Sequence, residues 1–166
     1  MTDERISENR ARFTDILDSF DDAMLVTRDR GGAPRARPMH IAKRTVDGDL
    51  WFATSDESGK MSELEQDPRA AVTLQSKDAF VSVTGRGQVV RDRSAIEEIW
   101  SPAMKAWFPE GKDDPNLTVL RFRAERGEYW DMRGMNKISY VYEAAKAIAK
   151  GERIESEREH HGELSL

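Results

Sequence analysis

The chain has 166 residues, no cysteine and a formal net charge of −5. One domain with a real core fits that length, and the missing thiols exclude a disulfide framework, a thiolate zinc site and a cysteine nucleophile. The acidic balance argues against a broad nucleic-acid footprint, and no apolar run approaches the roughly 20 residues of a membrane span. The composition suits a soluble protein of a reducing compartment, with the cytoplasm as the default, and leaves room for a small anionic ligand in a local basic pocket.

In chain order, Ile6, Phe13, Leu17 and Phe20 recur at helical spacing, predicting a surface helix that ends near Ser19 and covers one end of the fold. Three β-rich runs follow, 23–27, 37–46 and 50–54. They are separated by Asp29-Arg30-Gly31-Gly32 and by Asp47-Gly48, both hairpin turn signals. A short helix over 60–66 is closed by Asp67-Pro68, and 70–74 returns to strand. Residues 80–90 form a long β-like run whose Gly85 and Gly87 suggest a bulge or barrel corner.

Ser94 and Glu97 have capping-box spacing, and Ile96, Ile99, Trp100, Ala103 and Trp107 then share one helical face. Beyond a polar loop framed by Pro109, Gly111 and Pro115, 117–124 and 128–132 read as two strands around Arg126-Gly127. Ile138, Val141, Tyr142, Ala145, Ile148 and Ala149 mark a last amphipathic helix, and from Gly151 onward charge predominates, so 151–166 reads as a frayed, disordered tail. Six or seven strands against three or four helices, with hairpin turns early on, give an antiparallel α+β domain built on a small barrel. A doubly wound parallel sheet fits less well.

The segment Trp51-Phe52-Ala53-Thr54-Ser55-Asp56-Glu57-Ser58-Gly59-Lys60 carries the most chemistry. An apolar strand delivers hydroxyls, a glycine and an ammonium to the start of a helix, where free N–H groups favour an anion. The same residues also suit an ordinary strand-to-helix loop with Ser58 as its N-cap. A Walker loop is excluded, because Met61 stands where that motif needs Ser or Thr. Gly85-Arg86-Gly87 lacks the third glycine of a dinucleotide fingerprint. His40 has no ligand residues near it in sequence, His160-His161 fall in the tail, and no Gly-x-Ser-x-Gly elbow or isolated acidic pair supports a hydrolase.

Residues 52–74 resemble the flavin-phosphate segment of the pyridoxamine 5′-phosphate oxidase superfamily, with Thr54, Ser58, Lys60, Glu63-Leu64 and Asp67-Pro68-Arg69-Ala70-Ala71 at the pattern's spacing. Trp100, Trp107-Phe108-Pro109, Gly111, Asp113-Asp114-Pro115 and Tyr129-Trp130-Asp131 resemble its bacterial general-stress branch. The resemblance implies a split β-barrel over residues 1–150, a homodimer, and FMN between subunits with its phosphate on the Thr54-to-Lys60 loop. Ser55, Trp51 and Phe52 would then belong to the cofactor strand. Arg37-Pro38-Met39 matches the segment beside the flavin ring, where Arg37 would meet the phosphate or ring and the Pro38-Met39 backbone the ring edge. The alternative for Arg37 is a solvated strand charge.

Two departures stand out. The oxidase pattern has arginine where this chain has Gly59, so Arg37 or Lys43 is the expected substitute, and the oxidase's C-terminal tryptophan-and-arginine signature is missing, which argues against vitamin B6 synthesis. Trp107, beside the Pro109-to-Pro115 loop, is expected at the pocket or as an interface aromatic, and Trp100 at the pocket or in the core. The implied function is an FMN-dependent oxidoreductase in which the cofactor carries the redox chemistry and no catalytic side chain is named. Alternatives within the fold are a non-catalytic flavin carrier or sensor, or a protein that holds deazaflavin or haem.

Overall fold

The computed structural model describes residues 3–133, 145–146, 148–150 and 161–166. Helix α1, Asp3–Asp18, buries Phe13, Ile16 and Leu17 but leaves Ile6 exposed, so only its second half caps the barrel end. Strand β1, Asp22–Arg28, alternates Ala23, Leu25 and Thr27 inward. It turns into β2, Pro34–His40, through a loop in which the Asp29 carboxylate accepts from the N–H groups of Gly31 and Ala33 and Gly32 takes φ +83°. A second tight turn at Asp47-Gly48 joins β3, Lys43–Arg44, to β4, Leu50–Ser55, with Gly48 at φ +85°.

Helix α2, Gly59–Gln66, leads to β5, Arg69–Gln75, and β6, Ala79–Val90. Helix α3, Arg93–Ile99, and a 3₁₀ turn, Pro102–Ala106, then precede β7, Leu117–Asp131, and β8, His161–Ser165. The sheet is antiparallel, in order β2-β1-β5-β6-β7-β4-β3, with β8 added on β7. The path starts on β2 and ends on β3, and only Ile41-Ala42 lies between those strands. Ile41 N–H donates to Asp21 on the β1 side and Ala42 N–H to Trp51 on the β4 side, each at 2.8 Å. Chain continuity thus curls the sheet into an α+β split barrel, and among the described residues no ladder joins β2 to β4 across the split. None of the described helices is long and apolar enough to cross a membrane.

Several sequence expectations are corrected. The run 37–46 is two strands, broken where the chain crosses the split. The two strands expected around Arg126-Gly127 are one, because Gly127 continues the ladder opposite Val83 and Leu164 and Phe13 packs where its Cβ would stand. The helix through Trp107 ends at Ile99, Trp100 turns extended, and Pro102 starts the 3₁₀ turn. The Ser94–Glu97 capping box is absent: Asp92 occupies the N-cap without a side-chain bond, and Glu97 pairs with Arg93.

Residues 161–166, expected to be disordered, pair with β7 and cover the core with Leu164 and Leu166, which lie two apart and so face the same way. Gly162 admits the Tyr129 ring, which a Cβ would meet at 2.3 Å. The other tail residues, 151–160, and Ile138, Val141 and Tyr142 of the expected last helix lie outside the described residues; 145–146 and 148–150 are helical.

An ion cluster around the buried Asp131 fastens α1 to the end of β7. Asp131 accepts from Arg12 Nε at 3.2 Å and Arg133 Nε at 2.9 Å, while Arg133 Nη2 reaches Asp15 at 2.8 Å. Burial pushes the Asp131 carboxyl up, but the arginine bonds outweigh it and hold it at about 2, against 3.8 ordinarily. The depressed carboxyl stabilises the fold fully above the ordinary carboxylate range and loses that contribution as pH falls through about 2. Asp131→Asn is expected to cost about 2 kcal/mol at neutral pH and to flatten the acid limb of stability. Thermal melts at neutral and acid pH check this; an unchanged midpoint at neutral pH would refute it.

Candidate functional site

The split between β2 and β4 opens into a cleft of ≈ 410 Å³, within the range of small-ligand sites. Pro38, Met39 and His40 of β2 line one side, with Ala42 at the crossing and Ala53, Thr54 and Ser55 of β4 opposite. Lys60 of α2 also lines it, as do Met104 of the 3₁₀ turn and Trp107 and Phe108 just after that turn. Beyond its partner β1, β2 is an edge strand. Its outer edge leaves backbone donors and acceptors for a ligand.

Strand β4 runs into α2 through a turn in which Ser58 N–H donates to Ser55 O and Met61 N–H to Ser58 O. Ser58 holds the N-cap position at φ −70°, ψ 138°, yet its hydroxyl makes no cap bond, and its Oγ is buried without a partner. No acidic residue stands in the first turn of α2. An orphaned hydroxyl, open helix N–H groups and Lys60 two residues on form a donor set that suits a phosphate.

Burial pulls the Lys60 ammonium below the usual lysine range, and the neighbouring Arg37 charge lowers it further, with Glu63 opposing both. Arg37 does not line the cleft but is near enough for its charge to act on Lys60, and it donates from Nη1 to Thr27 Oγ1 at 2.7 Å and from Nη2 to Glu63 Oε2 at 2.8 Å. Burial pushes the Glu63 carboxyl up, but the Thr27 and Arg37 bonds keep it below the ordinary range, so it stays ionised.

Of the residues singled out from the sequence, Pro38, Met39, Thr54, Ser55, Lys60 and Trp107 come together in the cleft. Ser58 lies two residues before Lys60, and Arg37 stands close to Lys60 without lining the cleft. Trp51 and Phe52 do not line the cleft. Phe52 lies at 0% exposure in the main core, because it alternates inward on β4. Trp51 packs on the smaller cluster of α3 and the 3₁₀ turn, between Lys43 at 4.7 Å and Arg121 at 5.5 Å from its ring centroid. Lys43 is engaged by Trp51 and Glu98 and does not line the cleft. Trp100 belongs to that smaller cluster, whereas Trp107 is 75% exposed at the cleft.

The sequence reading missed His40, whose Nδ1 lies 3.0 Å from Asp22 Oδ1 at the cleft rim. The signal was present: a hairpin centred on the Asp29–Gly32 turn pairs position 22 with 40. Met104 was hidden by the mistaken continuous helix, whereas Phe108, expected beside Trp107 near the ring or pocket, does line the cleft. Among the described residues no cluster of His, Cys, Asp or Glu is placed to hold a metal ion.

The sequence pattern of the family described as pyridoxamine 5′-phosphate oxidase like matches residues 8–155. General stress protein 26 of Bacillus subtilis is 32% identical over 132 residues, covering 76% of this chain and 88% of that protein. The crystal structure of a general stress FMN/FAD binding protein from Xanthomonas citri is 30% identical, with TM-score 0.67, covering 78% of this chain and 93% of its own. A protein related to general stress protein 26 from Clostridium acetobutylicum, 22% identical, has the same fold, with TM-score 0.68 over 75% of this chain and 89% of its own.

Proposed function

The chain belongs to the pyridoxamine 5′-phosphate oxidase-like family, and from that premise we propose that it binds FMN in the β2–β4 cleft of a homodimer and works as an oxidoreductase. The observation that carries this reading is the lining of the cleft. Lys60, Thr54 and Ser55 line it together with an apolar set of Pro38, Met39, Ala42 and Ala53, and the orphaned Ser58 hydroxyl lies two residues before Lys60. A molecule that joins an anionic phosphate to a flat apolar ring matches that mixed lining.

Lys60, Ser58 and the α2 N–H groups would hold the phosphate, with Thr54 and Ser55 beside them. The β2 edge would meet the polar rim of the ring, and Met104, Trp107 and Phe108 would exclude water. Bound flavin supplies the two-electron chemistry, so the protein's part is anchoring, orientation and desolvation. The match to the X. citri FMN/FAD binding protein supports a flavin as the ligand.

Two features favour the homodimer. Trp107 projects from the cleft largely uncovered, and next to the cleft the outer face of β2-β1-β5 carries Ala36, Pro38, Met24, Val26 and Ala71, an uncharged row in register. A second copy laid there would bury that row and shelter Trp107 together.

Light scattering of the FMN-loaded protein is expected to give twice the chain mass, and stopped-flow reoxidation of the reduced protein by quinone or nitroaromatic acceptors should outrun free reduced FMN. A monomer would refute the interface. Reoxidation no faster than free FMN would replace the enzyme by a flavin carrier.

A further inference from the structure

Three elements send polar side chains to one buried point: Thr27 from β1, Arg37 from β2 and Glu63 from α2. Thr27 is 1% and Glu63 8% exposed. Their bonds close a ring. Arg37 Nη1 donates to the Thr27 hydroxyl, which donates to Glu63 Oε2 at 2.5 Å, and the same oxygen accepts from Arg37 Nη2. Two of the five guanidinium N–H donors are used, and both come from the terminal nitrogens, so the plane of the group is fixed while three donors remain.

Replacing a buried ion pair by packed apolar side chains is often neutral or stabilising, so stability alone gives weak reason for a charged ring here. Its location gives a better one. Glu63 lies one turn along α2 from Lys60, on the same face. The depressed lysine registers the Arg37 charge, with Glu63 opposing it. The carboxylate, which Arg35 also approaches at 3.7 Å, therefore lets Arg37 and Lys60 stand close together.

We propose that Thr27 and Glu63 are positioning residues for Arg37, holding its guanidinium close to Lys60 so that the site discriminates flavin phosphate from unphosphorylated flavin. This rests on the FMN reading above and adds the device that selects the phosphate. It also accounts for Gly59: the arginine absent from that position is replaced from β2, and Arg37 needs a fixed orientation to serve.

The test is fluorescence titration with FMN and with riboflavin of the native protein, Thr27→Val, Glu63→Gln, Glu63→Ala, Arg37→Ala and the Arg37→Ala/Glu63→Ala double variant, with thermal melts run alongside. Glu63→Ala is expected to weaken FMN about tenfold and Thr27→Val about threefold, with riboflavin unmoved. Glu63→Gln, whose amide oxygen can still accept from both partners, should stay within about threefold of native. In the Arg37→Ala background the loss of Glu63 should add nothing.

Thr27→Val and Glu63→Gln carry the test if Glu63→Ala does not fold. Tighter FMN binding on loss of the carboxylate, equal shifts for FMN and riboflavin, or additive losses with Arg37→Ala would each overturn the proposal. Native protein that binds both flavins equally, or neither, overturns the FMN reading and this proposal with it. Native discrimination that survives both Glu63→Ala and Thr27→Val overturns the proposal alone.

Discussion

Lys60→Ala is expected to weaken FMN binding by about ten- to a hundredfold, the range of one lost charge-assisted contact at a half-buried site, while leaving the fold intact. The side chain lines the cleft, and neither a hydrogen bond nor an ion pair of Lys60 is needed to hold the described fold together. The pH dependence follows from its depressed ammonium. Burial and Arg37 make it lose its proton below the usual lysine range, so FMN affinity should decline on the alkaline side earlier than an ordinary lysine would allow. Lys60→Ala should abolish that limb. The reverse change, Gly59→Arg, has open space around the new Cβ and should tighten FMN binding by restoring a cation at the cradle. Titrations across pH check all three, and an unchanged affinity in Lys60→Ala would remove the phosphate cradle from the account.

Gly85→Ala is expected to destabilise the fold by about 3 kcal/mol or more, placing it in the tail of point-substitution effects. A Cβ at Gly85 would stand 2.0 Å from the Arg123 carbonyl oxygen and 3.0 Å from the Phe122 ring, at the point where the β6–β7 register shifts. The obstacle is backbone, which cannot swing aside as the end of a side chain can. The bulge would have to open, and with it the longest ladder of the barrel. Chemical denaturation checks this, with Gly59→Ala, which meets no atom within 4 Å, as the control expected to stay near native. Equal midpoints for native and Gly85→Ala would show that the bulge does not depend on glycine.

How far the sequence reaches can be judged from particular residues. The Asp29–Gly32 and Asp47-Gly48 turns were legible because their φ values require glycine, and the strands around them follow by alternation. Gly85 was legible as a barrel corner for a different reason, since a glycine inside a strand marks close backbone approach, here by the Arg123 carbonyl. The end of α3 was not, because the periodicity of Ile96, Ile99, Ala103 and Trp107 runs across Pro102 without a break in pattern. Strand β8 was hidden by composition: Leu164 and Leu166 are too few to outweigh the charges around them until β7 offers an edge.

In the site, Thr54, Ser55 and Lys60 could be found because consecutive residues share one loop. Trp51 and Phe52 point to opposite faces of β4 and neither lines the cleft, which their place beside Thr54 in the sequence does not reveal. The partners of Arg37 were out of reach for another reason. Thr27 and Glu63 lie 10 and 26 residues away and converge only when β1, β2 and α2 pack.

Equilibrium titration of the apo-protein with FMN, followed by absorbance and flavin fluorescence, tests the central claim most directly. The account predicts saturable binding of one FMN per chain, tighter than riboflavin. A folded native protein that leaves FMN fluorescence and absorbance unchanged at every ratio would contradict it.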